Sequence, residues 1–171
     1  MSEEILDVVN ERDEVTGRER RSEVHRRGLS HRAVHVLVFN ARGELFLQKR
    51  SMSKDTFPGV WDSSASGHLD TGEEYDTAAA RELREELGCE AATALQRLFK
   101  KDACQQTGQE FVWVYQCRAD GPFTLHPDEI EQGRWYALTE VTRWVRATPD
   151  DFARAFVLVW EEWVRRENAP Q

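Results

Sequence analysis

Glu82, Glu85 and Glu86 fall close together in a stretch that reads GHLDTGEEYDTAAARELREELGC from Gly67 to Cys89. From about Thr71 the alanines and leucines take helical spacing, and Gly88 is a natural helix stop. At roughly 3.6 residues per turn the three glutamates share about 100° of one side. Ala79, Leu83 and Leu87 form the neighbouring stripe that a core would claim. Like charges at this spacing destabilise a helix by roughly 0.2–0.5 kcal/mol per pair, and acids near its C-terminal end oppose the macrodipole. Arg81 and Arg84 offset part of that. Clustered carboxylate oxygens are what a hard divalent cation such as Mg²⁺ requires. A solvated acidic face would be written with the same letters, and on the glutamates alone both readings stand.

The elements that must position this ridge follow from the pattern on either side of it. Ile5–Asn10 reads as a strand, with Glu11–Gly17 its turn and Arg18–Arg20 returning, so that residues 4–28 form an N-terminal hairpin extension. Ser22 is placed to cap a short helix ending at Gly28. Val34–Phe39 and Glu44–Gln48 read as a hairpin, and Lys49–Asp55 as a loop carrying Lys49, Arg50 and Lys54. A turn at Pro58–Gly59 precedes Trp61, and Asp62–Leu69 suits a strand edge entering a site. Strands are expected from Ala91 to Phe99, from Glu110 to Cys117, and in Phe123–Leu125 and Gly133–Tyr136 around the loop 126–132. A helix opening at Thr139 or Thr142 covers Val141–Val145. Another, from Pro149 or Asp150, carries Phe152, Phe156, Val159, Trp160 and Trp163 at core-packing spacing. Strands interleaved with a few helices make an α/β sandwich.

The chain has 171 residues, 40% hydrophobic and 32% charged, which suits one domain over 1–171 with a substantial core. A net charge of −8 gives no footprint for a nucleic-acid backbone. No apolar run reaches the roughly 20 residues that span a membrane, and the acidic opening MSEEILDVVNERDE is unlike a secretory signal. Cys89, Cys104 and Cys117 have neither a disulfide framework nor zinc spacing. A cytoplasmic protein with reduced thiols is the expectation.

The stretch resembles the Nudix box, G-x5-E-x7-R-E-U-x-E-E-x-G-U with U apolar. Gly67, Glu73, Arg81, Glu82, Leu83, Glu85, Glu86 and Gly88 fall in place, and Cys89 stands where an aliphatic is usual. The resemblance implies a Nudix-like α/β/α sandwich with a mixed β-sheet. It also implies hydrolysis of a nucleoside diphosphate derivative, or a related organic diphosphate, by water attack on phosphorus. The implied cofactor is Mg²⁺, with Mn²⁺ an alternative, and the implied partner is a small-molecule diphosphate. Glu82 and Glu86 are the first metal ligands; Glu85 and the Gly67 carbonyl join them. Glu73 and Arg81 brace the glutamates. The base that activates water is left open among the box glutamates, Glu110 and Glu129.

A finer resemblance, from about Val9 to Leu138, is to the branch that includes type I isopentenyl-diphosphate isomerases. It rests on His31-Arg-Ala, Phe39-Asn, Gln48-Lys-Arg-Ser, Lys54, Phe57-Pro-Gly-Val-Trp and Gly67-His. It implies that His25, His31, His68 and Glu110 hold a second metal, and that Arg50 and Lys54 bind the diphosphate. Histidines bonded to backbone groups and an ordinary cationic loop are the plainer readings. His35 and His126 are read as structural, and Trp61 as either a stacking platform or core. Where the isomerases have a cysteine before Gly-His, this chain has Ser66. A hydroxyl is a much poorer acid or base near neutral pH than a thiol of pKa about 8.5, so hydrolysis is expected over isomerisation. A non-catalytic nucleotide-binding module is the third reading. A homodimer through an exposed strand edge is allowed.

Overall fold

The computed structural model describes residues 2–90 and 94–170. Strand β1 (Ile5–Val9) pairs antiparallel with β2 (Val15–Arg20), and α1 (Arg21–Arg27) follows at once, stopping at Gly28 with φ +63°. The returning strand starts at Val15, before the expected Arg18. The Asn10 carboxamide oxygen accepts the N–H groups of Arg12 and Glu14 and so tightens the turn. Ser22 is not the helix cap. Its N–H is taken instead by the Glu3 carboxylate at 2.7 Å. Asp13, at φ +61°, fastens the hairpin to the body. Its carboxylate accepts from Arg32 Nε at 2.7 Å, Tyr75 Oη at 2.7 Å and Lys100 Nζ at 2.5 Å.

Seven strands form one mixed sheet: β3 (His31–Phe39), β4 (Leu45–Arg50), β5 (Trp61–Asp62), β6 (Ala65–His68), β7 (Gln96–Lys101), β8 (Glu110–Arg118) and β9 (Ile130–Tyr136). β3 is central. It runs parallel to β8 in a register that sets His31 opposite Glu110, and antiparallel to β6 with His35 opposite Ser66. The period of two along β3 sends Val34, Val36 and Val38 to one face and Ala33, Leu37 and Phe39 to the other. Helix α2 (Tyr75–Leu87) covers the valine face through Ala78, Ala79, Leu83 and Leu87. Helices α3 (Leu138–Ala147) and α4 (Arg154–Glu167) cover the opposite face. The result is a helix–sheet–helix sandwich.

Four local expectations are corrected. α2 begins at Tyr75 rather than Thr71, because the preceding turn holds Gly72 at φ +75° and Glu74 is still extended. Phe123–Leu125 is not a strand: the N–H groups of Thr124 and His126 donate to the carbonyls of Leu87 and Glu86, closing the end of α2 instead. The final helix is delayed. Pro149–Asp151 make a 3₁₀ turn, and Ala153 N–H then donates to the Trp61 carbonyl before α4 starts. Trp61, left open between a stacking platform and core, lies in the core, with ring centroids 5.5 Å from Tyr136 and 5.7 Å from Trp144. The expected strand from Ala91 begins at Gln96; residues 91–93 lie outside the described residues.

Candidate active site

A cleft of about 720 Å³ opens where α2, the N-terminal hairpin with α1, and the loop after β4 meet the ends of β3 and β6. Glu82, Glu85 and Glu86 line it from α2. Glu86 is 5% exposed and tightly held: Oε1 accepts the Ser66 N–H at 2.7 Å and Oε2 the Gln48 amide at 3.0 Å. Burial and the neighbouring Glu82 push its carboxyl up to about 8. Burial also raises Glu82, and Arg81 pulls it back only to about 7. Two carboxyls raised by confinement form a donor set that a divalent cation would satisfy. Gly67 fits the same purpose. A Cβ there would lie 2.1 Å from Glu82 Oε1, so only glycine leaves room for that carboxylate. Glu85 differs, being about half exposed.

Arg81 ties the ridge together. Its guanidinium donates to both oxygens of Glu73 at 2.9 Å, to Glu82 at 2.9 Å, to Glu85 at 3.1 Å and to the His68 carbonyl at 2.9 Å. One cation therefore fixes three acids and the end of β6.

Beside the ridge stand His25 from α1, His31 from β3 and His68 from β6, with one nitrogen of each within 4.8 Å of the others. His31 Nδ1 is 2.9 Å from the Leu29 carbonyl, which assigns a proton to that nitrogen and turns Nε2 away from the backbone. That Nε2 is buried without a hydrogen-bond partner, 3.5 Å from Glu110 Oε1. His68 Nε2 lies 3.0 Å from the same oxygen. Burial alone would lower His68, but Glu110 and Glu4 outweigh it and raise it to about 9. Burial likewise opposes the charge on Glu110, yet His31 and His68 beside it hold it well below the usual carboxylate range. His25 is lowered, by burial first and by His68 and Arg21 next.

The cleft mouth is cationic but heavily paired. Arg50 donates to Asp62 at 3.2 Å and to the carbonyls of Thr56 and Phe57, while Lys54 is bound to Glu129. Arg21 forms a two-pronged pair with Asp55 at 2.7 and 2.9 Å. Two charged lining residues, Glu4 and Arg21, are not singled out in the sequence, whereas Asp62 falls in the expected strand edge entering a site and His35 is read there as structural. Glu4 and Arg21 arrive from the hairpin, and no local pattern announces that. Asp62 and His35 are buried on the floor. For His35 the signal was present, since it alternates in phase with His31 on one strand.

Residues 29–157 match the family model described as NUDIX domain. A Nudix hydrolase of Deinococcus radiodurans is 38% identical over 136 residues, 79% of this chain and 80% of the relative. The crystal structure of DR0079 from Deinococcus radiodurans superposes with a TM-score of 0.76 at 35% identity, covering 84% of this chain and 90% of that one. Isopentenyl-diphosphate Delta-isomerase 2 of Aromatoleum aromaticum is 33% identical over 156 residues, 90% of this chain and 82% of the relative.

Proposed function

The chain belongs to the NUDIX domain family of hydrolases, and from that premise we propose that it is a Mg²⁺-dependent hydrolase of a nucleoside diphosphate derivative or a related organic diphosphate. The observation that carries this is the pair of buried Glu86 and partly buried Glu82, set against the bare Cα of Gly67 at the side of a cleft with a cationic mouth. Glu82, Glu86, Glu85 and the Gly67 carbonyl are the groups that would hold the cation, with Mn²⁺ an alternative. When bound, it neutralises phosphate oxygens and acidifies the attacking water.

The chain's own residues do the remainder. Ser66 N–H and Gln48 hold Glu86 in one orientation, and Arg81 does so for Glu82. Glu85, half exposed and facing the cleft, is the acid best placed to take the proton of water. Glu110 is a weak base because His31 and His68 stabilise its charge. Glu129 is engaged with Lys54. An arriving diphosphate competes with Glu129 for Lys54, while Arg50 shapes the loop beside it.

Ser66 disfavours the isomerase reading suggested by the Aromatoleum relative, since a hydroxyl does not exchange protons with an alkene near neutral pH as a thiol can. The histidine trio with Glu110 is proposed as a second, transition-metal site, for which imidazole donors are suited. The backbone bond to His31 Nδ1 supports it, because it aims Nε2 inward. Incubation with Mg²⁺ and a panel of nucleoside diphosphate derivatives tests the main reading. Release of nucleotide or phosphate that a chelator abolishes is expected, and binding without turnover would overturn it.

A further inference from the structure

We propose that His35 reads the organic group of the substrate, donating a hydrogen bond from Nε2 at the floor of the cleft. The proposal rests on the cleft being the diphosphate site. His35 is 4% exposed yet lines the cleft, beside Asp62 and Ser66. Its Nδ1 lies 2.7 Å from Ser63 Oγ. Ser63 is wholly buried, and His35 is the sole hydrogen-bond partner of its hydroxyl among the described residues. A hydroxyl sealed from water gives its proton to the one acceptor within reach. Ser63 therefore donates to Nδ1, and the ring proton resides on Nε2. That nitrogen has no hydrogen-bond partner among the described residues, and the ring that carries it lines the cleft.

Asp62 supplies an acceptor beside the same ring, its Oδ1 3.9 Å from His35 Nδ1. Asp62 is 3% exposed; Oδ1 takes the Ser63 N–H at 2.7 Å and Oδ2 takes Arg50 Nη1 at 3.2 Å. Each oxygen keeps a lone pair. The floor thus offers a fixed N–H and a carboxylate side by side, shielded from bulk water.

Such a floor discriminates by what it would leave unpaired. A hydrocarbon group attached to the diphosphate would cover both polar groups and return no hydrogen bond to either. A group carrying hydroxyl or carbonyl oxygens, as the sugar or base of a nucleotide does, satisfies them. Sites built to hydrogen-bond a substrate reject analogues that lack the partner. His35 and Asp62 accordingly select a polar organic group over an alkyl or alkenyl one.

The test compares UDP-glucose with isopentenyl diphosphate, in Mg²⁺, for the natural protein and for His35→Phe, His35→Gln and Ser63→Ala. His35→Phe should lower kcat/KM for UDP-glucose about 10- to 100-fold while leaving isopentenyl diphosphate unchanged or improved. His35→Gln, which restores an N–H, should recover part of the loss, and Ser63→Ala should fall between. An equal fall for both compounds overturns the proposal, since that is what a structural role would give. A second readout does not need turnover. Long-range ¹H–¹⁵N spectra of the natural protein should place the His35 proton on Nε2, and Mg²⁺–UMP should bind about 10- to 100-fold more weakly to His35→Phe. A proton on Nδ1, or unchanged UMP binding, refutes the role. If the natural protein hydrolyses no diphosphate at all, the assigned activity fails and these two measurements still decide His35.

Discussion

The Glu82 carboxylate rests directly on the Cα of Gly67, so close that a methyl group there would come within 2.1 Å of Oε1 and 2.3 Å of Cδ. Gly67→Ala should therefore push Glu82 out of the ridge while leaving the sandwich intact. Displacement of a reacting group by about 1 Å costs on the order of 100-fold in rate. The expected result is a loss of that size in Mg²⁺-dependent turnover, with an unchanged circular dichroism spectrum. Turnover within a fewfold of the natural protein would remove Glu82 from the metal site.

Glu86→Gln separates function from stability. Burial and Glu82 together hold the Glu86 carboxyl near 8. Replacing it by a neutral amide should lower turnover by at least roughly 100-fold. The metal-stripped variant should remain folded, because the loss of one of two repelling acids offsets the new NH₂ group that must face Ser66 N–H or the Gln48 amide. A folded variant with full activity would sink the metal assignment.

Asp13 gives a pH-dependent stability. Burial would raise its carboxyl, but Arg32, Lys100 and Tyr75 outweigh it, and the group is held below its ordinary value. The folded state then binds fewer protons than the unfolded one. The contribution is present above the unfolded pKa of about 3.9 and lost as pH falls through the lower folded value. Asn tolerates the left-handed backbone at this position, so Asp13→Asn removes charge without strain. It should cost about 1.5–3 kcal/mol in urea unfolding at pH 7. That gap should close as pH falls through the lowered folded value; a gap independent of pH would show that the charge is not the cause.

Elemental analysis addresses the histidines. The purified protein should carry a transition metal at neutral pH, and His68→Ala should lower metal affinity by at least about 10-fold. Protein free of transition metal at neutral pH would leave His68 and Glu110 as a plain ion pair, 3.0 Å apart.

The acidic ridge was legible because its parts share one helix, where a fixed period turns spacing into direction. The ends of that helix were less so. Its start depends on the Gly72 turn, and its finish on carbonyls of Glu86 and Leu87 that take N–H groups from residues 124 and 126. His25, His31, His68 and Glu110 lie on four different elements, and only a strand register sets His31 against Glu110. A sequence carries no rule for that register, so their meeting was suggested by resemblance alone. His35 passed as a strand filler because its significance depends on Ser63 and Asp62, 28 and 27 positions further on. Asp13, in a turn, gave no hint of gathering Arg32, Tyr75 and Lys100.

The loop after β4 is moored on both flanks by charge: Asp55 to Arg21 and Lys54 to Glu129, with Asp55 59% and Glu129 38% exposed. Attraction between half-wetted charges fades as dissolved ions accumulate, over a screening length of about 8 Å at physiological strength. The floor, held by buried bonds from Ser63, Ser66 and Gln48, is indifferent to them. Ionic strength should thus loosen the doorway of the proposed site and spare its hearth, so that added salt changes KM for a diphosphate more than kcat.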